Sequence, residues 1–136
     1  MQSEKGFSLI GTLIALGLLG IIAVGFLSGL ATTFKALMVS QERVAAESLA
    51  KSQLEYIKTQ DYIPTVDYNP DDPQKRYALI DIPADLVDRG CDIEINPPQT
   101  VISPEGGFEL QSITVAIKLN DEEILTLSGY RAGRLT

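Results

Sequence analysis

FSLIGTLIALGLLGIIAVGFLSGLATTF, residues 7–34, carries no charged side chain, and the next charge is Lys35. As an α-helix this run is about 42 Å long at roughly 1.5 Å per residue. The hydrocarbon core of a bilayer is only about 30 Å thick, so the run spans a membrane with length to spare. Glycines recur along it at 11, 17, 20, 25 and 29. In a water-exposed helix each costs about 1 kcal/mol relative to alanine. In a membrane, small residues instead let a second helix come close. The stretch therefore predicts a helix that is more than an anchor.

On its N-terminal side stands a polar leader, residues 1–6, whose one cation is Lys5. On its C-terminal side no proline occurs before Pro64. Phe34, Leu37, Met38, Val44, Ala45, Leu49, Leu54 and Ile57 recur mostly at helical spacing, the pattern of a helix with one buried side. Glu47 with Lys51 and Lys51 with Glu55 are i,i+4 pairs, each contributing a few tenths of a kcal/mol. The helix is thus predicted to continue as an amphipathic segment over 35–59, about 80 Å in all from Phe7. A packed head is required to cover its C-terminal half.

The remaining composition narrows the function. The chain has 136 residues, room for one compact domain at most beside the apolar run. From Gln60 to Thr136 there are 6 Lys/Arg against 14 Asp/Glu, a net of −8. A surface of that sign repels nucleic-acid phosphate and anionic lipid headgroups. Arg131 and Arg134 are too few for a nucleic-acid groove, and no basic stripe accompanies them. The absence of histidine removes the commonest general base and metal ligand. Cys91, the single cysteine, excludes an intramolecular disulfide and a cysteine-based zinc cluster; it is expected to be a small buried apolar residue. No phosphate-binding glycine loop and no catalytic constellation stand out, and the acidic residues read as a solvated face. Neither an enzyme, a cofactor nor a metal is expected.

A secretory signal peptide has an apolar stretch of about 7–15 residues and a small-x-small cleavage site. The run here is too long, and no clear site follows it. An ordinary signal anchor, with Lys5 held in the cytoplasm, explains the run. It does not explain the abrupt junction at Gly6-Phe7 or the helix that follows.

Lys5-Gly6-Phe7-Ser8-Leu9-Ile10 resembles the class III signal of type IV prepilins and type II secretion pseudopilins. The resemblance implies cleavage between Gly6 and Phe7 by a membrane prepilin peptidase and N-methylation of Phe7, with Lys5 keeping the leader cytoplasmic. Cleavage before the apolar run leaves the helix on the mature protein. The stretch from Arg43 to Lys58 is similar to the second half of the helix in the type IV pilus modification group of minor pilins. One position departs from the family: its fifth mature residue is usually glutamate, thought to pair with a neighbour's terminal amine, and here it is Gly11. This implies either a subunit at the filament tip, where no subunit above offers an amine, or relaxed assembly in which Gly11 has no special role. The resemblance further implies a pilin-like α+β fold, and as partners other pilin subunits, the inner-membrane assembly machinery and, before assembly, lipid.

Residues 60–76 break the helical period with Pro64, Pro70 and Pro73 among Asp67, Asn69, Asp71 and Asp72, and read as a loop. Its oxygen ligands lack the glycine and closing glutamate of an EF-hand, so a solvated loop is expected rather than a calcium site. Residues 77–136 read as a small antiparallel sheet. Tyr77 to Ile82 is a first strand candidate, and Pro83 to Gly90 a short turn or helical turn with Gly90 able to adopt a left-handed conformation. Cys91, Ile93 and Ile95 alternate with polar residues until Pro97-Pro98 ends the strand. Gly106-Gly107 marks a turn, and Ile113, Val115, Ile117 and Leu119 form the clearest strand. Asn120-Asp121-Glu122 reads as a hairpin turn, with the return from Ile124 to Tyr130. Three or four strands are expected to pack on the helix.

The expected protein is a minor pilin-like subunit, with its head outside the cytoplasmic membrane and then in a filament. A type II secretion pseudopilin is the alternative within the same machinery. A bitopic protein whose head binds a ligand or partner without polymerising is the alternative of another class.

Overall fold

The computed structural model describes the backbone of residues 2–102 and 106–135, and side chains from residue 8 onward within those ranges. In chain order the elements are α1 (Gln2–Thr59), α2 (Ala84–Val87), β1 (Cys91–Ile102), β2 (Phe108–Leu119) and β3 (Glu122–Arg134). This is an α+β fold, a long N-terminal helix and a three-stranded antiparallel sheet in the order β1-β2-β3. The chain divides into two compact units, Met1–Gln41 and Glu42–Thr136. The first is α1 alone. The second holds the last turns of α1, the loop, α2 and the sheet.

In the second unit α1 buries Ala46, Leu49, Ala50, Gln53 and Ile57, spaced by three and four residues. They meet Ile93, Ile113, Val115 and Ile117 of the sheet. Of the expected stripe, Leu49 and Ile57 are buried and Leu54 packs against the core, whereas Val44 is 64 % exposed and Ala46, Ala50 and Gln53 join the buried face instead. Gly129 makes room for Leu54, since a Cβ there would sit 3.2 Å from Leu54 Cδ2. Close packing recurs at β3, where a Cβ at Gly133 would sit 2.3 Å from the Tyr62 ring.

β2 alternates as expected, with Ile113, Val115 and Ile117 turned to the helix. The β2–β3 connection has two residues, because Leu119 pairs with Glu122. Asn120 and Asp121 have φ 52 and φ 67, the positive values that a tight hairpin of this hand requires and that Asn and Asp tolerate best after glycine. Gly90 has the expected left-handed conformation, φ 78. Its carbonyl accepts from Asn120 N–H at 2.9 Å, which ties the start of β1 to the hairpin turn.

Two strand expectations fail for physical reasons. Tyr77–Ile82 is not a strand of the sheet. Part of its backbone, at Ala78 and Ile80, is bonded by two glutamines near the end of α1 instead. Gln53 Nε2 donates to Ala78 O at 2.9 Å while Gln53 Oε1 accepts from Ile80 N at 2.8 Å. Gln60 does the same for Ala78 N and O, at 2.7 and 3.1 Å. Nor does Pro97-Pro98 end β1: the strand continues to Ile102 across a register shift between Asn96 and Gln99. Prolines lack an N–H and are tolerated on an edge strand at such an irregularity. The return strand β3 is also longer than expected, running to Arg134.

The 60–76 loop is held by its own turns. Asn69 Oδ1 accepts from Asp71 N and Asp72 Oδ1 from Gln74 N, both at 3.0 Å. Arg76 Nη1 donates to Pro70 O at 3.1 Å.

Candidate functional site

The first unit is an uncovered apolar surface. From Leu9, 67 % exposed, through Ile21, 71 %, to Phe34, 60 %, its large side chains are exposed. Among the described residues this is one helix long and apolar enough to cross a membrane. Its three threonine hydroxyls are bonded within the helix. Thr12, Thr32 and Thr33 donate to the carbonyls of Ser8, Ser28 and Gly29 at 2.8, 3.0 and 3.0 Å. Such internal satisfaction is what hydrocarbon surroundings demand of a polar group. The apolar surface also runs past Lys35, through Leu37, Met38 and Val39. Leu9 to Val39 covers about 45 Å of helix, more than a bilayer core of about 30 Å hides.

Every glycine of this segment faces open space: a Cβ at position 11, 17, 20, 25 or 29 would meet nothing within 4 Å. At roughly 100° per residue, Gly11, Gly25 and Gly29 fall within about 40° of one another, and Gly17 and Gly20 toward the opposite side. Gly25 and Gly29 form a small-xxx-small pair, the spacing that admits close helix contact in membranes. The helix thus offers close approach on more than one side.

In the second unit, a polar cluster fastens the end of α1 to the sheet. β2 keeps its inward alternation toward its N-terminal end, but there the inward residues are Gln111, 0 % exposed, and Glu109, 4 %. The expectation that acidic residues form a solvated face fails at Glu109. Its carboxylate accepts from Thr100 Oγ1 at 2.6 Å, Tyr62 Oη at 2.8 Å and Thr65 N at 3.2 Å. Burial pushes its pKa up, but the donors from Thr100, Thr65 and Tyr62 outweigh burial and hold it at about 2. The same burial, with Glu109 beside it, pushes the Tyr62 phenol well up. Next to it, Tyr77 Oη donates to Gln111 Oε1 at 2.7 Å, and Gln111 Nε2 to Ile63 O at 3.0 Å.

Arg131 of β3 closes the cluster. Its Nη1 donates to Ile57 O at 2.6 Å and its Nη2 to Gln60 O. The guanidinium lies over the Tyr62 and Tyr77 rings, 5.6 and 5.5 Å from their centroids. A cation here meets the negative end of the helix dipole, adding a second donor to Ile57 O, which also accepts from Gln60 N–H at 3.2 Å. The sequence reading weighed Arg131 only against nucleic acid and missed this role.

Glu109 yields a pH prediction. Its folded pKa lies below the ordinary 4.5, so the stabilisation is fully present above about pH 4.5 and is lost as pH falls toward 2. The loss is about 3 kcal/mol. Urea melts of the full chain in detergent, read by tyrosine near-UV dichroism from pH 6 to pH 2, are expected to show it. Glu109→Gln should start less stable and lack this part of the acid slope.

Of the residues singled out in the sequence, Lys5, Gly6 and Phe7 belong to α1 by backbone, and their side chains lie outside the described residues. Gly11 is described and has nothing around it. Cys91 is buried, as expected, and burial pushes its thiol pKa up. Among the described residues no three His, Cys, Asp or Glu side chains gather into a metal site. No family model, curated protein or solved structure matches the chain.

Proposed function

We propose that the chain is a minor subunit of a type IV pilus or related filament, anchored first in the cytoplasmic membrane and then packed by its N-terminal helix among other subunits. The observation that carries this reading is the uncovered apolar helix: its apolar length exceeds a bilayer, and its glycines open on more than one side. A lipid anchor needs neither. A bundle of like helices needs both, since in lipid association rests on packing rather than on the hydrophobic effect. Once the helix leaves the membrane, exposing it to water opposes dissociation of the bundle. The Lys5-Gly6-Phe7 junction supplies the matching processing signal, with the mature helix beginning at Phe7.

Gly11 removes the carboxylate that family members place at this point. With open space around it, the position is not forced by packing inside the chain; a place at the filament tip and a relaxed assembly without this carboxylate both accommodate it. In this reading the head acts in assembly and contact.

The test is the N-terminal peptide of the membrane-extracted protein by mass spectrometry. A methylated Phe7 terminus is expected. An intact Met1, in cells whose other prepilins are processed, overturns the reading in favour of a membrane-anchored binding module that does not polymerise.

A further inference from the structure

The head carries an open cleft of about 450 Å³ between the Tyr77–Leu79 segment and β1. That is within the usual range of about 300–1,000 Å³ for ligand clefts. One bank is the Tyr77–Leu79 segment, which lies outside the sheet, and the other is the unpaired edge of strand β1. On the first bank, Ala78 N and O and Ile80 N are turned to Gln60 and Gln53. Between them Leu79 lines the cleft, and among the described residues its N–H and C=O make no hydrogen bond. On the second bank, β1 pairs only with β2. Ile93 N–H donates to Asp92 Oδ1 at 2.9 Å, which places it on the free edge, and the two-residue period places Ile95 N–H there too.

Charge marks the cleft as well. Arg76 lines it, and among the described residues no carboxylate pairs with it. The acid in the lining, Glu94, is paired with Lys118. An unneutralised cation therefore stands at a cleft in a head that is acidic overall.

We propose that this cleft is a strand acceptor: an extended segment of a partner polypeptide enters between Leu79 and Ile93–Ile95, hydrogen-bonds both banks, and sets a carboxylate against Arg76. Main-chain hydrogen bonds give affinity in this mode of recognition, and side-chain contacts give selectivity. The occupant is not the head's own Tyr77–Ile82 segment, because Gln53 and Gln60 hold that segment off the sheet. Asp92 guards the edge in the free protein by capping the Ile93 donor, a common way of keeping edge strands from pairing indiscriminately. The cleft lies wholly within the Glu42–Thr136 unit, so it serves the head whether or not the helix polymerises.

The test uses the full chain in detergent micelles and a synthetic hexapeptide of alternating threonine and valine ending in aspartate. Saturating peptide is expected to slow amide exchange at Leu79, Ile93 and Ile95 at least tenfold. N-methylation of alternate peptide amides should abolish the effect. Arg76→Gln should weaken binding at least fivefold, and Asp92→Ala should tighten it by freeing the Ile93 donor. Unchanged exchange at millimolar peptide, or equal binding by the N-methylated peptide, overturns the proposal. So does protection of all three amides without peptide, which would mean that the chain closes the gap itself.

Discussion

Replacing Arg131 by methionine is expected to destabilise the head by about 3 kcal/mol, through loss of hydrogen bonds to a charged donor that are worth about 1.5–3 kcal/mol each. The guanidinium holds Ile57 O and Gln60 O at once while lying between two tyrosine rings. Methionine keeps the stem's packing but leaves Gln60 O without a donor, and Ile57 O with only its 3.2 Å bond from Gln60 N–H, in a half-buried place. Lysine is not a remedy, because an ammonium is a point charge and cannot span two carbonyls while stacking on aromatic faces. Arg131→Lys should therefore recover less than half of the loss. Urea denaturation of the full chain in detergent, followed by tyrosine near-UV dichroism, reads the head rather than the apolar helix. A loss below about 1 kcal/mol, or full recovery by lysine, would contradict the clamp.

Arg131 also shows where sequence reading stopped. The elements that depend on local chemistry were legible. Gly90 is left-handed, Asn120-Asp121 turns a hairpin, and β2 alternates through Ile113, Val115 and Ile117. Each rests on backbone preference or on a period of two. What failed depended on partners distant in sequence. Tyr77–Ile82 has a strand-like composition, yet its hydrogen bonds go to Gln53 and Gln60, and nothing local marks those glutamines as backbone substitutes. Pro97-Pro98 reads as a terminator unless the strand is known to lie at an edge. Glu109 falls under the reading of the acidic residues as a solvated face, although the phase of Ile113, Val115 and Ile117, extended by two and four residues, points Gln111 and Glu109 inward. That phase is the signal in the sequence that could have found them. The helix stripe was legible at Leu49 and Ile57 but not at Ala46, Ala50 and Gln53, whose small or polar side chains carry little hydrophobic signal.

The candidate assembly surface was more legible than the head, because it depends on composition over a long stretch rather than on tertiary contacts. The structure adds that its glycines have open space on more than one side, and filling that space is what tests anchoring against assembly. Replacing Gly25 and Gly29 together by leucine is expected to leave membrane insertion and N-terminal processing intact while lowering recovery in sheared filaments at least tenfold. Leucine inserts readily at the centre of a membrane helix and is a better helix former than glycine, so neither loss of the helix nor failure to insert would explain the defect. What leucine removes is the close approach of a neighbouring backbone, on which association in lipid depends. The matching pair, Gly17→Leu with Gly20→Leu, distinguishes a bundle from a dimer. If the helix has neighbours on two sides, this second pair should also lower incorporation, with the same intact insertion. If only one pair matters, the helix has a single partner. Normal filament recovery by both pairs, quantified against the membrane-held protein, would reduce the apolar run to an anchor and remove the main support for the filament reading.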